Sequence, residues 1–405
     1  MRTIYLDYAA TTPCDQRVFN EMAPYFCDTF GNPNSLHAFG IAALEGLDAA
    51  RIRVKNLIRS KFEETIFTSG ATESNRISII RTMRSLSKSG KNHFMTLKTE
   101  HKSVLDCADY LKRNGCDITL LNVQKDGLLD LNYLAESIKD TTGLLSVCFV
   151  NNETGVLQNI KKIAEVCHSK NVLLHADATQ AFGKIPIDVN LLDVDFMSAS
   201  GHKIYGPKGV GVLYFKSSNK KLIRVPGANQ EVEFGIRAGT VPVALCVGCG
   251  KAAEIAMSEQ NDNLNRYKKF REKFIKKITS ELDEIYVNGS SEHNYPGIVN
   301  MSFRGCEGEA LMKEASGIAV SSGSACTSNK LTISHVLDAM NIPADIAQSS
   351  LRITFGKPTS ESDVDVAAAE LIKAAKKLRA MSPVWDIIMS GLDVDKVFVD
   401  IGCRN

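Results

Sequence analysis

Six short apolar runs limit what this chain can fold into. HFMTLK (93–98), ITLLNV (118–123), LLSVCFV (144–150), VLLHADA (172–178), DFMSAS (195–200) and GVLYF (211–215) read as strands. Several are apolar almost throughout, the pattern of strands buried on both faces of a parallel sheet. Amphipathic stretches such as IKKIAEVCHSK (160–170) lie between them. Strand alternating with helix predicts a layered α/β architecture. Past Gly250 the pattern changes. Leu264, Tyr267, Phe270, Phe274, Ile278 and Leu282 recur at helical spacing among Lys, Arg and Glu, which predicts one long helix with a single apolar stripe. A later helix is expected from near TSESDVDV (359–366), with capping hydroxyls and acidic residues in its first turn. At 405 residues the chain suggests two domains. The expected division is a large α/β domain over 14–250 and a smaller α+β domain over 1–13 and 251–405.

Charge is nearly balanced, with 48 basic against 46 acidic residues, so no positive field favours direct nucleic-acid binding. The basic stretch RYKKFREKFIKK (266–277) carries the apolar stripe and reads as a solvated helix. Eleven cysteines without framework spacing fit free thiols in a reducing compartment. CVGC (246–249) has a redox or metal spacing, but no second pair completes a zinc site, so buried inert thiols are expected; Cys14 sits in a turn. MRTIYLDYAATTP shows neither a signal core nor an Arg/Ser-rich leader, and no apolar run approaches the roughly 20 residues that span a bilayer. The expectation is no membrane association and a cytoplasmic location, with a relict mitochondrial organelle left open.

Four segments carry chemistry. In DFMSASGHKIYGPKGVGVLYF a strand ends in small residues and Lys203 follows at once beside Ser200 and His202, placed like a Schiff-base lysine that a planar ligand can approach. An ordinary surface lysine is the alternative, and Lys208 in the same turn is a rival. VLLHADATQAFG delivers Asp177 at a strand end, with Gln180 three residues on. A carboxylate there suits the pyridinium nitrogen of pyridoxal phosphate, or simply caps a helix. FTSGATESN places Thr72 at a helix start, suited to an anion. TEHKSVLD puts His101 just after a strand, to stack on a ring and carry protons or to serve as a structural histidine. In VSSGSACTS, Cys326 stands among small residues that leave its sulfur accessible.

Taken together with YLDYAATTP, FGNPNSLHAFG, VNNETGVLQ, RAGT, SSLRITFG and SPVWD, these segments resemble, in order and spacing, the NifS/IscS-type cysteine desulfurases. Those belong to the class V aminotransferase group of fold-type I pyridoxal-phosphate enzymes. The resemblance covers nearly the whole chain and implies a large domain with a mostly parallel sheet flanked by helices, plus a smaller α+β domain. It implies that Lys203 holds the cofactor as a Schiff base, Asp177 pairs with the ring nitrogen, Gln180 with the ring hydroxyl, and His101 stacks and shuttles protons. Ala71, Thr72, Ser200 and His202 would bind phosphate, and Thr240 the phosphate of the neighbouring subunit of a homodimer. Asn152 and Arg352 would hold the substrate carboxylate. Cys326 would take sulfur from L-cysteine as a persulfide and pass it to an iron–sulfur scaffold protein and other acceptors, tRNA thiolation among them. The persulfide would also make Cys326 a transient cluster ligand, the one metal role implied.

Three departures stand out. Asn229, Gln230, Glu231 and Val232 replace the glycine triplet and following His/Gln of the family, Arg76 stands where asparagine is common, and the tail VDKVFVDIGCRN is unlike the usual terminus. Rival readings are a selenocysteine lyase or related lyase on the same fold, and a catalytically impaired scaffold homologue.

Overall fold

The computed structural model describes residues 3–225, 233–322 and 333–390. Its centre is a seven-stranded sheet. The strands are β2 (Thr65–Thr68), β3 (His93–Leu97), β4 (Asp117–Leu121), β5 (Thr142–Cys148), β6 (Leu173–Asp177), β7 (Phe196–Ser200) and β8 (Gly211–Phe215), in the spatial order β2-β8-β7-β6-β5-β3-β4. Every pairing from β4 to β7 is parallel, and only β8 runs against its neighbours. The six runs expected from sequence are all strands of this sheet. β2, β3, β5, β7 and β8 are buried at every residue, as strands covered on both faces by helices must be. Polar groups inside it are paired. His175 on β6 contacts Ser146 on β5 at 2.8 Å and Ser198 on β7 at 2.9 Å, and burial lowers its pKa to about 4, so it is a neutral cross-strand link.

Two smaller sheets complete the fold. β1 (Ile4–Tyr5) pairs in parallel with β11 (Ile318–Ala319). β9 (Ile285–Asn288), β10 (Ile298–Phe303) and β12 (Ser350–Thr354) form an antiparallel sheet in the order β12-β10-β9. The chain passes from the central sheet to β9 along one helix, Val243–Thr279, 37 residues long. The sequence places a change of pattern at Gly250, yet the helix runs straight through it. Gly248 and Gly250 are there because the helix is crowded: a Cβ would come within 2.2 Å of the Met22 sulfur at the first and 2.6 Å of the Ala50 backbone at the second. Tyr267, Phe270, Phe274 and Ile278 form the expected buried stripe. The later helix runs from Glu361 to Arg379, with Ser360 and Asp363 forming a reciprocal capping box. No helix of the described residues is long and apolar enough to cross a membrane.

Candidate active site

In a parallel sheet the strand ends that lead into helices leave a crevice where ligands bind. Here that crevice is a cavity of about 550 Å³. It gathers Ala71, Thr72, His101, Asn152, Asp177, Gln180, Ser200, His202, Lys203 and Arg352, ten residues singled out from sequence. Lys208 lines the rim and is exposed. Thr240 is exposed and does not line the cavity. Cys326 lies outside the described residues, as do Asn229, Gln230, Glu231 and Val232 and the tail after Ser390.

Lys203 ends the tight turn Gly201–Lys203 that follows β7. Its Nζ donates to the carbonyls of Ala9 at 2.7 Å and Ala10 at 2.6 Å. The N-terminal segment therefore closes over the lysine, and the Ala9 N–H is tied in turn to Thr354 Oγ1 on β12.

Asp177, the last residue of β6, is buried and held by three hydrogen bonds. Asn75 Nδ2 donates to Oδ2 at 2.8 Å, while the Thr179 backbone N–H and hydroxyl both donate to Oδ1. The helix-capping role read as the alternative is not found: a turn, not a helix, follows Asp177. Asn75 also donates to Ser103 Oγ, which contacts His101 Nδ1 at 2.9 Å.

His101 caps the helix Lys102–Arg113, its Nδ1 accepting the Ser103 N–H at 3.1 Å. A nitrogen that accepts cannot carry the proton, so the neutral ring is protonated at Nε2. Burial lowers the His101 pKa, opposed by Asp177 and reinforced by Lys203 and His335. His202 is held down to about 4, by burial first and then by Lys203, Lys208 and Lys184. Both imidazoles are neutral at pH 7.

Arg352 on β12 donates from Nη1 to the Asn152 carbonyl at 3.0 Å and pairs through Nη2 with Asp7 at 2.7 Å. Its buried Nε has no hydrogen-bond partner among the described residues. Three contacts bracket the segment that contains Cys326. Ser321 and Arg352 exchange backbone hydrogen bonds, the Ser334 hydroxyl donates to the buried Glu153 carboxylate, and His335 Nε2 donates to the Glu100 carbonyl. Each anchor adjoins a cavity residue: Arg352 itself, Asn152 and His101.

Sequence reasoning passed over Asn75, Thr179 and Glu100. All three stand inside quoted motifs, ESN, DATQ and TEH, but no local pattern shows that the first two converge on Asp177. Glu100 is buried and accepts the N–H of the cavity residue Cys148, and burial with Asp177 nearby pushes its pKa well up.

Cys246 and Cys249 are buried in the long helix as expected, and burial pushes Cys249 up to about 12. Burial likewise raises Cys107 and Cys167 to about 12. Alkylation of the folded protein at mildly alkaline pH is expected to modify exposed Cys14 and Cys27 and to spare these four. Peptide mapping in which Cys249 reacts before Cys27 would refute that ordering.

The family described as Aminotransferase class-V matches residues 4–366. A protein of Neisseria meningitidis serogroup C named "Cysteine desulfurase IscS" is 46% identical over 396 residues, covering 97% of both chains. The chain belongs to the class-V aminotransferase family and, within it, to the cysteine desulfurases. The human "Cysteine desulfurase" is 44% identical over 398 residues, 98% of this chain and 87% of that protein. Among solved structures, a "NifS-like protein" superposes with a TM-score of 0.86 at 32% identity, over 93% of this chain and all (100%) of that one. A second, "SspA in complex with cysteine", gives 0.76 at 32% identity over 87% and 99%. Class-V aminotransferases and cysteine desulfurases are pyridoxal-phosphate enzymes.

Proposed function

We propose that the cavity holds pyridoxal 5′-phosphate, and that the enzyme takes sulfur from L-cysteine, releasing L-alanine and leaving a persulfide on Cys326. The observation that carries this is the Asp177 carboxylate, fixed by three hydrogen bonds at a strand end and lining the same cavity as Lys203. The residues fit the cofactor. A volume of about 550 Å³ lies within the range of roughly 300–1,000 Å³ typical of small-molecule sites. A carboxylate fixed by three donors suits a pyridinium nitrogen, the hydroxyls of Thr72 and Ser200 suit a phosphate, and Lys203 supplies the amine for covalent attachment. When bound, pyridoxal phosphate supplies an electron sink for the substrate's Cα carbanion.

The chain's own residues do the rest. Arg352, reinforced by Asn152, binds the substrate carboxylate and orients Cβ–S. His101, neutral and protonated at Nε2, and the Lys203 amine hold and move protons at the substrate. The Cys326 thiolate attacks the substrate sulfur: the S–S bond forms, the Cβ–S bond breaks with its electron pair going to carbon, and Cβ takes a proton to leave as L-alanine. An iron–sulfur scaffold protein and other acceptors then receive the persulfide sulfur. A homodimer belongs to the same reading. Two observations support it: Thr240 is exposed and off the cavity, and Phe26, Phe30, Leu36, Phe39 and Ile41 expose a run of apolar surface on two N-terminal helices and the loop between them.

The test follows visible absorbance of bound cofactor together with alanine and sulfide release from L-cysteine. Wild type is expected to show both, and Lys203→Ala to lose turnover by at least about a thousandfold. Wild-type protein that gains no visible band on adding pyridoxal phosphate would overturn the proposal.

A further inference from the structure

Lys203 borders two cavities. Besides the main one there is a smaller space of about 40 Å³, also lined by Lys184, Tyr205, Gln260, Tyr267 and Tyr295. On this side the Lys184 ammonium donates to Gln180 Oε1 at 2.5 Å, and its Nζ lies 5.7 Å from the centre of the Tyr295 ring. The other end of the same amide, Nε2, donates to the Ala9 carbonyl at 2.8 Å, the carbonyl that also receives Lys203 Nζ. An ammonium can only donate and a carbonyl can only accept, so both ends of the amide dictate one orientation. Turning the amide over would set its NH₂ against Lys184 and its oxygen against the Ala9 carbonyl. In the observed orientation the second Nε2–H remains for the main cavity, which Gln180 lines.

We propose that Lys184 is a positioning residue: its ammonium holds Gln180 so that an N–H donor, rather than the amide oxygen, meets the ring hydroxyl oxygen of bound pyridoxal phosphate. This rests on the cofactor reading above. Burial, aided by Lys203 and Arg352, brings the Lys184 pKa down to about 7. Below that pH the ammonium holds the amide, and above it the weaker neutral amine remains. The groups facing it are Lys203 and His202 from the turn after β7, Arg352 from β12, Tyr295 ahead of β10, Tyr267 from the long helix, and Lys357, which is paired with Glu259.

The experiment measures the Kd for pyridoxal phosphate by absorbance from about pH 6 to about pH 8.5 in wild type, Lys184→Met and Lys184→Arg, with thermal midpoints alongside. Wild type is expected to weaken about tenfold across the range, as a charge-assisted hydrogen bond becomes a neutral one. Lys184→Met is expected to bind weakly at every pH with an undiminished midpoint, because a buried charge has been removed. Lys184→Arg, always charged, is expected to keep the tight low-pH value throughout. Lys184→Met within twofold of wild type with the same pH slope would overturn the inference. If Lys184→Met fails to fold, a wild-type pH slope in Lys184→Arg overturns it instead. Wild type that binds no pyridoxal phosphate at any pH overturns the cofactor reading and this inference with it.

Discussion

Cys326→Ser protein is expected to keep the visible absorbance of bound cofactor and to lose at least about a thousandfold of its alanine production from L-cysteine. A serine hydroxyl cannot accept sulfane sulfur, and no other described thiol is placed to substitute. Cys148 is the only described cysteine lining the cavity. Its Sγ donates to the Val150 carbonyl, and burial with Glu100 and Asp177 nearby raises its pKa well above the ordinary thiol range. A thiol so held is scarcely ionised at pH 8, and the thiolate is the attacking species. Ser321 joined to Arg352, Ser334 to Glu153 and His335 to Glu100 fasten both flanks of the Cys326 segment beside the residues assigned to the substrate. Binding and sulfur transfer therefore share one framework. Single-turnover assays with mass spectrometry of the Cys326 peptide separate the two steps. Alanine production surviving at the wild-type rate in Cys326→Ser would identify the selenocysteine-lyase type of chemistry instead.

The central sheet was legible because its strands are nearly uninterrupted apolar runs, and burial on both faces leaves little else for such runs to be. The cavity residues were legible for a related reason. Asp177 ends β6, Lys203 lies three positions past β7 and His101 four past β3, so locating the strand locates the residue. The antiparallel sheet of β9, β10 and β12 was harder to see. Its strands carry Asn288, Asn300 and Ser302, which break the apolar pattern and satisfy one another through buried side-chain hydrogen bonds. The change of pattern expected at Gly250 is no break in the helix: glycine ordinarily weakens a helix, whereas Gly248 and Gly250 admit neighbours that only the fold brings close. Contacts distant in sequence left no local trace at all. Lys203 meets Ala9 across 194 positions, and Asn75 meets Asp177 across 102.

The largest structural effect is expected from one such distant contact, between Arg51 and Glu233, 182 positions apart. Arg51→Ala should destabilise the protein by about 3–5 kcal/mol, because breaking a buried ion pair strands the remaining charge. Both side chains are at most 4% exposed, with Nη2 to Oε1 at 2.8 Å. The guanidinium also donates to the Thr65 carbonyl and lies 5.0–5.5 Å from the ring centres of Phe62, Phe67 and Phe234. Glu233 in turn accepts the Phe67 N–H at 2.7 Å, which ties it to β2 just ahead of the helix Ala71–Arg76 that carries Thr72. Glu233 and Phe234 both adopt positive φ, 40° and 55°, a conformation that costs free energy in residues with side chains and persists only where the surroundings hold it. The ion pair is that hold. It fixes the stretch leading from the replaced glycine segment to Thr240, and the Arg237–Glu73 pair at 3.2 Å secures the same stretch a turn later. Denaturant unfolding of Arg51→Ala should therefore show the loss in stability together with weaker retention of pyridoxal phosphate. The double variant Arg51→Met/Glu233→Met should recover part of the stability, since it removes both charges and leaves neither stranded. Arg51→Ala within about 1 kcal/mol of wild type would mean that the aromatic rings and the Phe67 N–H hold Glu233 without the ion pair.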